Sequence, residues 1–287
     1  MKKLIIILAV FSASFSAVFS RLANAPQIVI VIYRMLISVL ILSVWVLLKY
    51  RDELRRISRR QLYLCMLAGV FLGLHFVSYF EGLALTSIAS ATVLVDSEVF
   101  FVAIGGMLLF GERNSFAAWT GILLAFAGCV VVVSGDAGGG SLRGDLLALA
   151  GALFTACYTM IGSRVRKGIS TNVYTWIVYC FAGITAAVMA IIKRVPVFGY
   201  APVNLACGLG LAVMGTLLGH SVFSWGLRYE KAAFISIAKL LEPVFAVILG
   251  IFFFREMPGL RSLAGGLMVI AGILLFTACS EKQKQGS

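Results

Sequence analysis

Charge is what this sequence lacks. Asp, Glu, Lys and Arg together make up 13% of its 287 residues, while 61% are hydrophobic. A water-soluble domain cannot cover its surface with so few solvated groups, so the solvent around most of the chain is lipid. Long polar stretches are missing too. A hydrocarbon layer takes about 20 apolar residues per helix, so the chain holds about ten spans with short connections. That disfavours a receptor with a catalytic head and a sensor with a separate output module. The net charge of +12 would suggest nucleic acid in a soluble protein, but the basic residues lie between apolar runs and report orientation instead. The six cysteines, Cys65, Cys129, Cys157, Cys180, Cys207 and Cys279, sit in or beside apolar segments without Cys-x-x-Cys spacing. They read as small core residues rather than disulfides or metal ligands. Gly138-Gly139-Gly140 is not followed by Lys-Ser or Lys-Thr, and no His-Glu-x-x-His, Gly-x-Ser-x-Gly or dinucleotide fingerprint occurs. Neither a cofactor, a metal nor an enzyme activity is expected.

What is there is apolar and periodic. Runs at 4–23, 27–48, 61–82, 88–110, 116–134, 146–163, 174–192, 204–226, 232–254 and 260–279 predict an all-α integral membrane protein of ten transmembrane helices. Asn24-Ala25-Pro26, the charged stretch 49–60, residues 111–114, the glycine-rich 135–144 and Pro196 to Pro202 separate some of them. Lys2, Lys3, an apolar stretch and Ala23-Asn24-Ala25 also fit a cleavable signal peptide. Internal symmetry favours retention. An offset of 143 lays Phe11 on Phe154, Ala13 on Ala156, Ser20 on Ser163 and Arg21 on Arg164. An offset of 144 lays Gly82-Leu83 on Gly226-Leu227, Glu98 on Glu242, Gly106 on Gly250, Phe110 on Phe254, Glu112 on Glu256, Gly121 on Gly265, and Ala127-Gly128 on Ala271-Gly272.

The chain therefore divides into a first five-helix repeat (1–134), a glycine-rich linker (135–145), a second repeat (146–279) and a polar tail (280–287). Five is odd, so the second copy enters the membrane inverted, the arrangement that supports alternating access. With the N-terminus inside, sixteen Lys and Arg fall in cytoplasmic segments and six (Arg21, Arg143, Lys193, Arg194, Arg255, Arg261) outside; Arg34 and Lys239 remain within the membrane. That bias predicts both termini on the cytoplasmic side of an inner membrane.

Phe110-Gly111-Glu112-Arg113 followed by Gly121 and Gly128, and Leu241-Glu242-Pro243 through Arg255-Glu256, Gly265 and Gly272, resemble the EamA-type exporters of the drug/metabolite transporter superfamily over nearly the whole chain. The resemblance implies ten helices with cytoplasmic termini. It also implies a central cavity, built from helices 1, 3, 4 and 6, 8, 9, that carries amino acids, other small metabolites or drug-like solutes. Ser97-Glu98-Val99 stands where that family usually has a fourth-helix proline, and the first helix lacks the usual Trp-Gly near Ser14.

A charge at mid-membrane costs about 3 kcal/mol on insertion scales, which makes each one a functional candidate. Glu98 and its repeat mate Glu242 lie mid-helix, as do His75 and His220. Glu98 with His75 is the proton-coupling candidate, since a desolvated carboxylate and an imidazole exchange protons at working pH. The same groups also serve to hydrogen-bond helix to helix. Asp96 points to a different face from Glu98. Lys239 pairs either with Asp96 across the repeats or with Glu242, three residues on. Arg34 suits a carboxylate or phosphate, or snorkels, or pairs with a helix-end carboxylate. Glu81, Glu112 and Glu256 near helix ends suggest structural or gating roles. Tyr79, Tyr158 and Trp225 offer faces to a planar or cationic solute or simply pack; His75 and Tyr79 share a helix face. Ser12 and Thr155, repeat mates, offer hydroxyls to the cavity or bond their own helix. Gly69 with Gly73 and Gly215 with Gly219 permit close helix packing.

The expectation is a secondary carrier exporting a small solute, driven by protons or by the solute's own gradient, with lipid as its environment and a homo-oligomer compatible with the sequence. An importer or exchanger of the same fold, a membrane-embedded enzyme using Asp96, Glu98 and the histidines, and a scaffold without a solute path are the alternatives.

Overall fold

The computed structural model describes residues 1–86, 88–112, 114–134, 141–255 and 259–285, with side chains at all of these but 88–90, 133, 254, 262 and 280–285. Arg113, the Gly138-Gly139-Gly140 part of the linker, Glu256 and the last tail residues lie outside the described residues.

The described chain is helical throughout. α1 (Lys2–Leu22) and α2 (Gln27–Lys49) are the first two spans, α3 (Arg51–Arg56) is a short connecting helix, and α4 (Arg59–Leu85) is the third span. The fourth comes in two pieces, α5 (Ile88–Asp96) and α6 (Glu98–Phe110); α7 (Phe116–Val133) is the fifth. The second repeat follows with α8 (Leu142–Val165) and α9 (Thr171–Ile192). Its eighth span joins α10 (Pro202–Gly210), a π-helix (Leu211–His220) and α11 (Ser221–Gly226). The ninth is again broken, into α12 (Ala232–Lys239) and α13 (Glu242–Phe254), and α14 (Leu260–Gln285) is the tenth. Among the described residues eight spans are long and apolar enough to cross a membrane, and the shorter apolar helices Phe116–Val132 and Leu263–Cys279 bring the number to ten. This is the fold of two inverted five-helix repeats.

Hydroxyls set the starts. Ser115, Ser141 and Ser170 each accept a hydrogen bond from the backbone N–H three residues on, and Ser58 forms a full capping box with Gln61. Pro26 precedes α2 and Pro202 opens α10, where a missing N–H costs nothing. The exposed faces are apolar: Leu36, Leu40, Leu47 and Leu48 of α2 are all more than half exposed, a liability in water but the right surface for lipid.

Two cores result. One gathers α1, α6, α7, α12 and α14 around Ile6, Val99, Ile122, Phe234 and Phe276. The other gathers α2, α4 and α9 around Met35, Leu72 and Val178. In the first, α7 and α14 cross backbone to backbone. A Cβ on Gly128 would lie 2.7 Å from the Gly265 carbonyl oxygen, and one on Gly265 would lie 2.7 Å from that of Gly128. The glycine pairs of the third and eighth spans act likewise: Gly69 and Gly73 meet Val178 and Ala182 of α9, while Gly215 and Gly219 meet Ser16 and Ala13 of α1.

The breaks obey the repeat. Ser97 and Leu241, 144 residues apart, both precede the glutamate that opens a thirteen-residue half-helix. Both half-helices end in the left-handed region, at Gly111 (φ 64°) and its mate Arg255 (φ 57°). The apolar runs 88–110 and 232–254 predicted single helices. Each still forms one membrane-length apolar span, Ala91–Phe110 and Ala232–Phe253, with a local break inside it. Pro243 accounts for the second break, since a proline in the first turn starts a helix and cannot continue one. In the first repeat the Ser97 hydroxyl donates to the Leu94 carbonyl at 2.5 Å and competes there with the helical ladder.

Candidate functional site

The two repeats touch unequally along their broken spans. On the side of the bundle that holds the start of α1, where Lys3 lies over the Phe234 ring, α6 packs against α12, and Ala232 through Ala238 are all buried. Beyond the breaks, α5 and α13 form no such packed pair among the described residues. Arg166, fully buried just past α8, ties further helices together on that side. Its Nε donates to the Ser224 carbonyl at 2.9 Å, Nη2 to the Thr171 hydroxyl at 2.5 Å and Nη1 to the Ile169 carbonyl. It thereby joins the sixth, seventh and eighth spans. Burial holds its pKa below the ordinary guanidinium value.

At the level of the breaks lies a polar cluster. Glu98 and Glu242 are the first residues of α6 and α13, where the partial positive charge of a helix N-terminus favours a carboxylate. Lys239, the last residue of α12, donates from Nζ to Glu98 Oε1 at 2.8 Å, with both side chains largely buried. The sequence left Lys239 open between Asp96 and Glu242; the structure gives it neither. Its helix ends at Lys239, so the three-residue spacing to Glu242 crosses the break, and the Glu242 carboxylate feels Lys239 only through space. Asp96 accepts instead from the Cys129 thiol at 3.0 Å, and the Glu242 carboxylate has no hydrogen bond or ion pair among the described residues. Glu242 lies in the field of Lys239, Arg34 and Glu98.

The aromatic wall is continuous with these charges. His75 Nδ1 lies 3.0 Å from the Gly151 carbonyl; a carbonyl only accepts, so that nitrogen carries the hydrogen. The His75 and Tyr79 rings stack at 6.3 Å and 8°, as their shared helix face predicts, and Tyr79 shares a hydrogen bond with Thr92. Glu98 is felt at His75 through space, but the imidazole is tied to α8 rather than to the carboxylate. Phe76 presents its face to the Arg34 guanidinium at 4.4 Å and receives the His220 ring edge-on at 5.4 Å. Tyr158 packs near His220 and hydrogen-bonds Ser224 at 2.8 Å.

Other candidates fall to structure or to the rim. Ser12 donates to the Met214 carbonyl at 2.9 Å, across to the π-helix rather than into its own helix. Thr155 is buried with its hydroxyl unpartnered. Trp225 is not in the cluster: its ring packs on Tyr229, which lies under Lys2 at the terminal face. Glu81 pairs with Lys193 at 2.5 Å on the opposite face.

Several participants gave no sequence signal. Phe76 looked like any membrane aromatic. Ser14, which donates to both the Val10 and Glu242 carbonyls, looked like a small packing residue. Thr216 was hidden by the π-helix. Its hydroxyl donates to the Leu211 carbonyl five residues back and accepts from Arg34 Nε at 2.6 Å, a geometry an α-helical reading does not contain.

The comparisons agree with this architecture. A family model described as the EamA-like transporter family matches residues 2–134 and again 142–278. An uncharacterized transporter of Archaeoglobus fulgidus is 27% identical over 86% of this chain and 86% of its own length. The pseudopaline exporter CntI of Pseudomonas aeruginosa is 26% identical over 92% of this chain and 90% of its own. A crystal structure superposes with a TM-score of 0.79 at 18% identity, covering 96% of this chain and 97% of that one, a likeness of fold. Two tandem matches of one family model, each over one five-helix repeat, together span almost the whole chain. The protein belongs to the EamA-like transporter family.

Proposed function

We propose that this protein is a secondary carrier that exports a small metabolite, an amino acid, a related solute or a drug-like compound, by alternating access. The observation that supports this reading is the unequal contact of the fourth and ninth spans. One pair of half-helices is packed around Lys239–Glu98, and the symmetry-related pair forms no such packed pair among the described residues. Exchanging the conformations of two inverted repeats would open the first pair and close the second. The Lys239–Glu98 pair then acts as the latch that must part. Export is favoured by the relative named as an exporter, and the basic-residue bias favours an inner membrane with both termini in the cytoplasm.

Proton coupling, in this reading, runs through Glu98 with His75, and Glu242 joins them because its carboxylate has no hydrogen bond or ion pair among the described residues and lies in the field of Lys239 and Arg34. The test expresses wild type and a Glu98→Gln, Glu242→Gln double variant at matched membrane levels. Their spent media are compared by untargeted mass spectrometry, and flux in proteoliposomes is followed with and without an imposed pH gradient. Solutes that accumulate outside only with wild type support export. Media identical to an empty-vector control, together with vesicles that pass nothing, would sink the carrier reading. Flux of a Glu98→Gln protein with unaltered pH dependence would sink Glu98 as coupling group and leave the carrier.

A further inference from the structure

Arg34 lies at 3% exposure in the second span, and among the described residues it forms no ion pair. Its Nε is bound to Thr216 at 2.6 Å, while neither Nη1 nor Nη2 has a hydrogen-bond partner among the described residues. The fork of the guanidinium is therefore held in place and left open. A buried, always charged group without a counter-ion is expensive, and the carboxylates that could neutralise it are elsewhere. Glu98 is taken by Lys239, Asp96 by Cys129, and Glu242 acts on Arg34 only through space.

We propose that Arg34 is the anion subsite of the carried solute, and that this solute bears a carboxylate; the proposal rests on the carrier reading above. Four observations besides the open fork support it. Gly215 lets the eighth span pack close beside the fork, since a Cβ there would lie 3.1 Å from Nη2 and 2.7 Å from the Ser16 hydroxyl. Phe76 lies under the guanidinium, its ring centroid 4.4 Å from Cζ. His220, edge-on to the same ring, has a buried Nδ1 without a partner. Thr155 has an unpartnered buried hydroxyl, and the carbonyl four residues back that it would ordinarily take, that of Gly151, already accepts from His75. A planar fork with two parallel donors matches a carboxylate bidentately. One unpaired guanidinium balances one negative charge, so a monovalent carboxylate fits it better than a doubly charged phosphate.

The competing role for Arg34 is purely structural, a tie between the second and eighth spans through Thr216. That role predicts no discrimination between ligands. The test uses purified protein in lipid nanodiscs and measures binding of acetate, benzoate and phenylacetate by calorimetry, each against its primary amide, for wild type, Arg34→Gln, Arg34→Lys and Thr216→Val. We expect wild type to prefer at least one acid over its amide by roughly ten-fold or more. Arg34→Gln should abolish that preference, and Arg34→Lys and Thr216→Val should reduce it because they lose the fork or its aim. If Arg34→Gln fails to fold, the two milder variants carry the test. Wild type binding acids and amides alike, or folded variants that keep the full preference, would overturn the proposal. Flux of the same probes into proteoliposomes separates the two readings. Vesicles that transport without acid preference refute the subsite and keep the carrier, whereas acid-selective binding without flux keeps the subsite and refutes the carrier.

Discussion

The fourth and ninth spans descend from one sequence and share a break, a glutamate after it, a thirteen-residue half-helix and a left-handed end. They differ in one decisive residue. The second repeat has Lys239 three positions before the glutamate that follows its break, and the first has Val95 at the equivalent place. Lys239 reaches across to Glu98, and among the described residues no cation of the first repeat pairs with the Glu242 carboxylate. In the proposed alternating-access cycle an inverted duplication would otherwise make both facing states equivalent, and a single cation would give one of them a latch.

The largest expected effect attacks that latch. Lys239→Met leaves Glu98 buried without its partner and should cost about 3–5 kcal/mol. Denaturant unfolding in detergent micelles measures it. The Glu98→Gln, Lys239→Met double variant should recover most of the loss, and Glu242→Gln, which breaks no pair, should cost less than about 1 kcal/mol. Equal costs for Lys239→Met and Glu242→Gln would erase the distinction between the repeats.

Next comes a place where the repeats are alike. Gly128→Val and Gly265→Val each force a side chain into the backbone of the partner helix and should each cost about 1–3 kcal/mol, with matching losses in melting temperature. A strong inequality would mean that the asymmetry extends to the α7–α14 crossing.

Val95→Lys would supply the missing cation and offer Glu242 a partner when α5 and α13 close. The expected result is a shift toward the state open on the terminal side. It is read as faster alkylation of a cysteine placed at Ile237, which is fully buried in the closed half of the ninth span, in a background free of other cysteines. Unchanged alkylation would show that the Lys239–Glu98 pair does not set the balance of states.

The smallest effect is at the half-helix ends. Arg255→Gly should gain about 1 kcal/mol by relieving a left-handed non-glycine residue, and Gly111→Arg should lose a similar amount. The pair of thermal melts tests whether the two ends are conformationally equivalent.

Much of this was legible in the residues. Ten spans, their division into two repeats and the polar positions at mid-membrane follow from hydropathy and from the 144-residue register, because lipid demands continuous apolar helices and duplication preserves spacing. His75 and Tyr79 could be placed on one face because a helix puts i and i+4 together. The break at Ser97 was not legible, since a serine mid-helix most often bonds its own backbone without ending the helix. The partner of Lys239 was not legible either, because spacing along one helix says nothing about a side chain arriving from the other repeat.

What the sequence determined by itself was therefore periodic and local: where the chain enters lipid, that it does so twice over in opposite senses, and which charges are carried inside. Tertiary structure alone decided which of those charges are neutralised and which remain open. Lys239 settles on Glu98, Cys129 on Asp96, and Thr216 holds Arg34 by one edge. The physical reason is that in a medium without water every polar group takes whatever partner the packing of distant helices brings to it. That packing is fixed by glycine crossings and helix breaks far from the groups themselves.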